Sequence, residues 1–258
     1  MRNSSLRNEI QETAPRRHGV QAIARAAALL RALEHAPQGL ALGQLAAAVE
    51  LPKSTVHRLV GALAEEDLLS PDGDGNVRLG AALVRLGAAS REALPDRLHP
   101  LLLDLRQALM ETIDLSVLDG PSARFIDQVP APHRLRAASA VGERFPLHCT
   151  ANGKALLAAM PEVEVATLLP EQLQRLTART IVTREALLTE LEQVRIHAVA
   201  FDREEHTEGI CAAGVAVLDA GRPIAAVSVP VPAQRFYGRE DELAAQLRAA
   251  ATAASELL

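Results

Sequence analysis

Hydrophobic residues recur every three or four positions over the first third of the chain, which is the spacing of amphipathic helices. The pattern predicts a helix from His18 to Ala36, ended by Pro37-Gln38-Gly39, then a short helix over Leu42–Val49 and a third over Pro52–Glu65. Proline suits the first turn of a helix because its missing N–H would have no partner there. The turn-rich segment PDGDGN between two short apolar runs predicts a small hairpin over residues 68–79.

The pattern changes in the second half of the chain. Residues 83–113 are predicted to be helical, with Pro95 and Pro100 as interruptions, and to form a linker helix followed by the first helix of a second domain. Apolar runs then predict strands at Leu115–Leu118, Ala123–Val129 and Arg134–Ala138, and a buried hairpin of Ile210–Leu218 with Ile224–Val229. Further helices are predicted at Thr150–Met160, Leu187–Val199 and Glu240–Leu257.

The order helix, turn, short helix, turn, helix, hairpin is typical of a winged helix-turn-helix, whose second helix enters the major groove of DNA. The polar residues of the segment LPKSTVHRLVGAL crowd its amino-terminal half, the end that such a helix presents to DNA; they are Lys53, Ser54, Thr55, His57 and Arg58. The cations are expected to contact phosphate or guanine, the hydroxyls phosphate or base edges, and the imidazole either. The alternative is a solvated helix start that its own hydroxyls cap.

The hairpin supplies one more candidate DNA contact, Arg78. It is expected to contact the backbone or the minor groove. Against this, Asp72 and Asp74 in the hairpin loop would repel phosphate, so the tip of the wing is expected to point elsewhere.

Composition and charge fit a two-part chain. A length of 258 residues favours two domains, and 48% hydrophobic with 23% charged residues is ordinary for a folded protein. The net charge of −5 argues against nucleic acid, but residues 1–92 carry 11 Lys and Arg against 10 Asp and Glu, and the remainder 16 against 22. Aromatic residues make up only 2%, so an aliphatic ligand pocket is expected.

Targeting signals and disulfides are not predicted. No apolar run approaches the roughly 18 residues of a membrane span, and the first residues lack the apolar region of a signal peptide. Residues 1–17 are predicted to be a disordered tail. Two distant cysteines form no disulfide framework, which favours a reducing, cytoplasmic location.

Five sequence blocks, in order and at plausible spacing, resemble the IclR family of transcriptional regulators. They are VQAIARAAALLRAL, the LPKSTVHRLVGAL helix with NVRLG, PLHCTANGKALLA, DREEHTEGICAAGVAV and PIAAVSVPVP. The resemblance covers roughly residues 18–237. It implies an α+β chain: a winged helix-turn-helix (18–81), a linker helix (82–95) and a GAF-like α/β effector-binding domain (96–258). It also implies promoter DNA as partner, a homodimer or a dimer of dimers, and an effector that is a small organic acid or an aromatic metabolite.

The resemblance further implies an effector site. By position its candidates are Thr150, Ala151, Asn152, Asp202, Cys211, Ala212 and Ser228. Thr150 also caps the predicted helix, whose free N–H groups would favour an anion. The chain departs from the family at Asn152, where a small residue is common, at Pro230, where a second serine is frequent, and at Cys211 and Ala212, because other members place a cysteine one position later.

Other chemistries were weighed at the same residues. His206 lies near Asp202 and three glutamates, but no second His or Cys stands at a zinc-type spacing, so neither a metal nor a cofactor is predicted. Lys154 is expected to be solvated. Cys149 beside His148, and Cys211 near His206, are the candidates for a thiol nucleophile, but no catalytic residue is predicted. A Cys-dependent enzyme acting on a small acid, and a sensor or assembly module that does not bind DNA, stay as alternatives.

Overall fold

The computed structural model describes residues 21–34, 36, 38–72, 75–137 and 139–258, without the side chains of residues 90–92. The chain forms two compact units that divide between Ala89 and Ser90. The predicted tail (1–17), the start of the first predicted helix and Asp74 lie outside the described residues.

The first unit contains the predicted helices and hairpin, with one further short strand. Its elements are α1 (Gln21–Glu34), β1 (Leu40–Ala41), α2 (Leu42–Ala48), α3 (Lys53–Glu65), β2 (Leu69–Pro71), β3 (Asn76–Leu79) and α4 (Ala81–Glu92). Among these described residues β1, β3 and β2 form a three-stranded antiparallel sheet. Strand β1 has only two residues, too few to give an alternating pattern in the sequence.

The core of the first unit fixes the orientation of α3. Val56, Val60 and Leu63 recur at helical spacing and are buried. They pack with Leu29 and Leu33 of α1 and with apolar residues of α2 and the sheet. The opposite face of α3 therefore points to solvent.

The second unit is built on an antiparallel sheet with helices on both faces. Its elements are α5 (Leu94–Leu109), β4 (Ile113–Asp119), β5 (Ser122–Val129), β6 (Arg144–Pro146), α6 (Ala151–Ala158), α7 (Glu162–Leu168), α8 (Arg184–His197), β7 (Ala200–Arg203), β8 (Ile210–Asp219), β9 (Arg222–Pro232), α9 (Ala233–Phe236) and α10 (Glu240–Glu256). In the described part of the chain the strand order is β6-β5-β4-β9-β8-β7. The predicted fold class is confirmed.

The two faces of this sheet carry different chemistry. Successive residues of a strand point to opposite faces. Ile113, Leu115 and Val117 of β4 join the cluster formed with α5 and α10. The residues between them, Asp114 and Ser116, are buried on the face that α6 and α8 cover. The buried polar side chains of β4 therefore lie on the face toward α6, which is the polar face of the sheet.

Two sequence predictions were wrong in this unit. Residues 134–137 form bends and irregular backbone rather than a strand. No strand pairing is present for these described residues; at the end of the segment the Thr112 hydroxyl instead donates to Ala137 O at 2.8 Å, and it accepts from Ala131 N at 3.1 Å. Pro100 does not interrupt α5. It lies on the exposed side of a helix that its buried leucines hold in place, so water can satisfy the carbonyl left without a donor.

Candidate functional site

The exposed face of α3 carries the predicted DNA-contacting residues together. Lys53, Ser54, His57 and Arg58 are exposed, and Thr55 is half-buried. The first turn contains no acidic residue. Two cations, two hydroxyls and an imidazole therefore form one continuous hydrogen-bonding surface on a helix whose other face is anchored in the core.

The alternative interpretation, in which hydroxyls cap α3, has no support in the geometry. The N-cap residue is Pro52, and the helix start that the structure describes has no side-chain cap hydrogen bond. The N–H groups of Thr55 and Val56 bond to Pro52 O instead. The hydroxyls of Ser54 and Thr55 are therefore not used for capping.

The structure places Arg78 on β3 with a half-exposed side chain. Its guanidinium lies 3.4 Å from the Asp72 carboxylate, with which it forms an ion pair. Asp72 therefore neutralises part of the charge that Arg78 would offer to phosphate. Arg78 is a weaker candidate contact than Lys53 or Arg58.

A cavity of about 300 Å³ lies in the second unit, between the first turn of α6 and the polar face of the sheet. This volume is at the lower end for small-molecule sites. Of the predicted effector residues, the cavity is lined by Thr150, Ala151, Asn152, Asp202, Ala212 and Ser228. The structure thus brings together residues that lie up to 78 positions apart in the sequence.

The start of α6 rests directly on the sheet. A Cβ atom at Gly214 would lie 2.8 Å from Ala151 C, so only glycine allows this approach. The Thr150 hydroxyl accepts from Gly153 N at 3.3 Å and donates to Pro146 O at 2.8 Å. The N–H groups of Ala151 and Asn152 precede the first intrahelical hydrogen bond, so they are suited to bind an anion.

Two buried carboxyl groups also line the cavity. Burial raises the pKa of Asp202 to about 7, against the opposing effect of the Glu205 N–H, which donates to it at 2.7 Å. Burial likewise raises the pKa of Asp114 to about 6, against hydrogen bonds from Gln128 and Ser139. The sequence analysis did not identify Asp114, which interrupts an apolar strand at its second residue.

The cavity wall is more aromatic than the composition predicts. The rings of Phe145 and His206 stack with centroids 4.3 Å apart, and Phe125 meets Phe145 edge-on at 4.9 Å. Burial, followed by the electrostatic effect of nearby His148, lowers the pKa of His206. The apolar part of the lining is nevertheless mostly aliphatic, as expected: Ala137, Ala151, Ile210, Ala212 and Pro230 accompany the two phenylalanines.

Cys211 does not line the cavity. It neighbours Ala212 on β8, so its side chain points to the opposite face and lies in the apolar cluster with α5 and α10. The cavity also contains residues that sequence reasoning missed; they include Asp114, Phe125, Arg136, Phe145, His206 and Pro230. Arg136 comes from the segment wrongly predicted as a strand.

Lys154 is not solvated, contrary to the sequence-based expectation. Its side chain is 0% exposed, and Nζ lies 2.6 Å from Glu205 Oε1 and 3.1 Å from Glu190 Oε1. The ion pair with Glu205 joins α6 to the loop that follows β7. This loop contains His206, which lines the cavity, so the ion pair of Lys154 helps to hold that part of the cavity wall in place.

Neither cysteine is placed for nucleophilic catalysis. Burial, followed by the negative charges of Asp202 and Glu205, raises the pKa of Cys149 to about 12. The ring of neighbouring His148 bonds to Gln174 O at 2.9 Å. Burial also raises the pKa of Cys211. Both thiols therefore stay protonated at neutral pH and are weak nucleophiles.

The described residues form neither a metal-binding cluster nor a membrane-spanning helix. Among them no group of three or more His, Cys, Asp or Glu side chains could hold a metal ion. No helix in the same ranges is long and apolar enough to cross a membrane.

Comparisons with known proteins identify both units. Residues 22–73 match the model of the IclR helix-turn-helix domain, and residues 87–256 match that of the bacterial transcriptional regulator IclR C-terminal domain. The chain belongs to the IclR family. It is a transcriptional regulator with a ligand-binding C-terminal domain, and not an enzyme.

Individual relatives can be aligned with this chain over nearly its whole length. The HTH-type transcriptional regulator Rv1719 of Mycobacterium tuberculosis is 50% identical over 240 residues, which are 93% of either chain. The crystal structure of Thermotoga maritima IclR has a TM-score of 0.62 at 27% identity and matches 91% of this chain and 97% of its own. An IclR homologue from Microbacterium hydrocarbonoxydans, crystallised with 4-hydroxybenzoate, has a TM-score of 0.59 at 25% identity, with 92% and 98% covered.

Proposed function

We propose that this IclR-family chain binds promoter DNA through α3 and the β2–β3 wing, and that a small organic acid or aromatic metabolite in the cavity beside α6 controls this binding. The observation that carries the DNA half is the exposed, acid-free first turn of α3. The observation that carries the ligand half is the cavity at a helix start. The chain would act in the cytoplasm as a homodimer or a dimer of dimers, and as a repressor or an activator.

The DNA half is tested by removing the two cations of α3. The double variant Lys53→Ala with Arg58→Ala should abolish gel retardation of the DNA upstream of the chain's own gene. Because phosphate contacts release counterions, any residual binding should show a slope of log K against log salt that is shallower by about 2 per protomer. A matched control is Arg144→Ala with Arg175→Ala, which removes two exposed cations of the second unit.

The thermal unfolding midpoint of each variant shows whether a loss of DNA binding reflects a loss of folded protein. Both double variants should keep the thermal unfolding midpoint of the parent, because all four side chains are exposed. Unchanged DNA retardation by the α3 variant would remove α3 as the DNA-binding helix. Equal loss in the control would show a general charge effect rather than a specific surface.

The ligand half is tested by a thermal-shift screen of small carboxylates and aromatic acids. 4-Hydroxybenzoate belongs in the panel, because the Microbacterium homologue was crystallised with it. A ligand at 100 times its Kd should stabilise the second unit by about 2.7 kcal/mol. Each hit is then added to the DNA retardation assay, where a change in DNA affinity in either direction supports regulation by the ligand. If no acid of the panel shifts the midpoint, the proposed ligand class is wrong.

A further inference from the structure

The two carboxyl groups in the cavity are not balanced by a buried cation. Among the described residues that line the cavity, Arg136 carries the permanent positive charge, and this residue is exposed. Lys154 lies behind the wall and is already paired with Glu190 and Glu205. A buried carboxylate without a cation is costly unless hydrogen-bond donors reach it.

Asp114 and the start of α6 face each other across the width of the cavity. Asp114 pairs with Ser228 in the register of β4 and β9, and Ser228 pairs with Gly214 in that of β9 and β8. These residues therefore form one row on the polar face. Neighbouring strands are about 4.8 Å apart, so Asp114 lies roughly 10 Å from Gly214, on which α6 begins. A single-ring acid with a polar group at each end fits this span.

Asp114 has acceptor capacity that its protein contacts do not use up. Gln128 Nε2 donates to Oδ1 at 2.8 Å and also lies 2.6 Å from Ser139 O. Ser139 also donates to this carboxyl. A carboxylate has about four acceptor positions, so these two bonds leave others that can face the cavity. The neighbouring polar group on the same strand, Ser116 Oγ, already receives the Asn152 side chain at 2.9 Å.

Asp202 is less suited to this task. Its Oδ1 accepts from the N–H groups of Glu205 and His206, at 2.7 and 3.4 Å, and so holds the loop after β7. We propose that Asp114 is a specificity-determining residue that selects ligand acids with a hydrogen-bond donor, a hydroxyl or an amine, at the end opposite the carboxylate. The carboxylate lies at the N–H groups that begin α6. The inference rests on the proposed function of the cavity as the effector site.

The expected selectivity follows from the cost of leaving the remaining acceptor positions of Asp114, those that face the cavity, without a donor. An analogue with a methyl group in place of the hydroxyl buries the carboxyl against hydrocarbon. A hydrogen bond to a charged group contributes about 1.5–3 kcal/mol, so the donor-bearing acid should bind roughly ten- to a hundredfold more tightly. Burial raises the pKa of Asp114 although Gln128 and Ser139 donate to it, so these two bonds do not offset the cost of burying the charge.

The experiment is calorimetric titration of the full chain with three acids of one size class. 4-Hydroxybenzoate and 4-(aminomethyl)benzoate carry a donor, whereas 4-methylbenzoate matches the first in shape and carries none. The hydroxyl or the amine acid should bind at least about tenfold more tightly than the methyl acid, and comparison of the two shows which donor the site prefers. Equal affinity of all three acids would overturn the inference while leaving the ligand class of the proposed function intact. Binding of none of the three, or of any acid in the thermal-shift panel, would overturn both.

The assignment to Asp114 is tested by Asp114→Asn, which keeps the size of the side chain and an acceptor for Gln128. The preference for the donor-bearing acid should fall to within about threefold. The matched control is Asp127→Asn on β5, outside the cavity, where the carboxylate contacts His99 at 2.7 Å; it should keep the full preference. If Asp114→Asn keeps the preference too, another group recognises the donor and the assignment is wrong. Should that variant not fold, the comparison of hydroxyl with methyl acid on the parent chain still decides the inference.

Discussion

Asp202→Asn should stabilise the ligand-free protein at neutral pH and lose that advantage in acid. The side chain is 4% exposed, and burial raises its pKa from 3.8 to about 7. Asparagine has the same shape, keeps an acceptor for the N–H of Glu205 and carries no charge to desolvate. The variant therefore removes the ionisation penalty with little change of packing.

The sign follows from proton binding. Between pH 4 and pH 7 the folded state holds a proton on Asp202 that the unfolded state has lost, so rising pH favours unfolding of the parent. Each pH unit in this window costs about 1.4 kcal/mol. The stability gap between variant and parent should widen by roughly 2–3 kcal/mol from pH 5 to pH 7 and stay constant above pH 8. For a unit of this size that is about 4–12 °C in unfolding midpoint.

The assay is thermal unfolding of the ligand-free full chain, followed by circular dichroism at half-unit steps from pH 5 to pH 8.5. The control is Asp119→Asn, because this carboxylate lies at the surface between Arg124 and Arg144 and lacks the burial that produces the effect. Parallel pH profiles for the parent and Asp202→Asn would refute the argument, since they would mean that Asp202 is ionised in the folded state throughout this range.

Two further predictions test the support of the cavity and of the wing. Lys154→Met leaves Glu205 buried without its partner and should cost about 3–5 kcal/mol, measured by denaturant unfolding; a loss below about 1 kcal/mol would show that water replaces the lysine. Gly80→Ala would place a Cβ 1.9 Å from Asp67 O between the hairpin and α4, so it should lower the unfolding midpoint of the first unit and weaken DNA retardation. Ligand affinity, measured in the same preparation, should be unchanged in the Gly80 variant.

The sequence predicts the long elements well because their periodicity is set by burial. The leucines of α5 and the apolar runs of β8 and β9 are buried where the pattern places them. Short elements such as β1 and β7 are not predicted, because two to four residues are too few to show a periodic pattern of hydrophobic positions. Residues 134–137 are mispredicted for a different reason: distant side chains bond to their carbonyl groups, Arg235 to that of Leu135 and Thr112 to that of Ala137.

The candidate site is predictable in part. The residues at the start of α6 and on the neighbouring strands were predicted from the sequence blocks that resemble the family, and most of them line the cavity. The assignment of Cys211 to the cavity is wrong because neighbouring residues of a strand point to opposite faces of the sheet, and Cys211 lies on the face away from the cavity. The burial of Lys154 and Asp114 is not predicted, because a charged residue considered alone is expected to be exposed. Their partners, Glu205 and Gln128, lie 51 and 14 positions away in the sequence.

The buried acids also constrain how a ligand can regulate DNA binding. At pH 7 burial opposes the ionisation of Asp202, so the ligand-free cavity is less stable than an apolar one of the same shape. A ligand in the cavity lies against Asp202, and the Asp202–Glu205–Lys154 contacts connect this carboxyl to α6 and, through Glu190, to α8. Such a ligand alters DNA affinity only as far as it prefers one of two arrangements of the chain. Because the charge of Lys154 acts on Asp202, the contacts around Lys154 are one place where two arrangements with different charge states would differ in free energy.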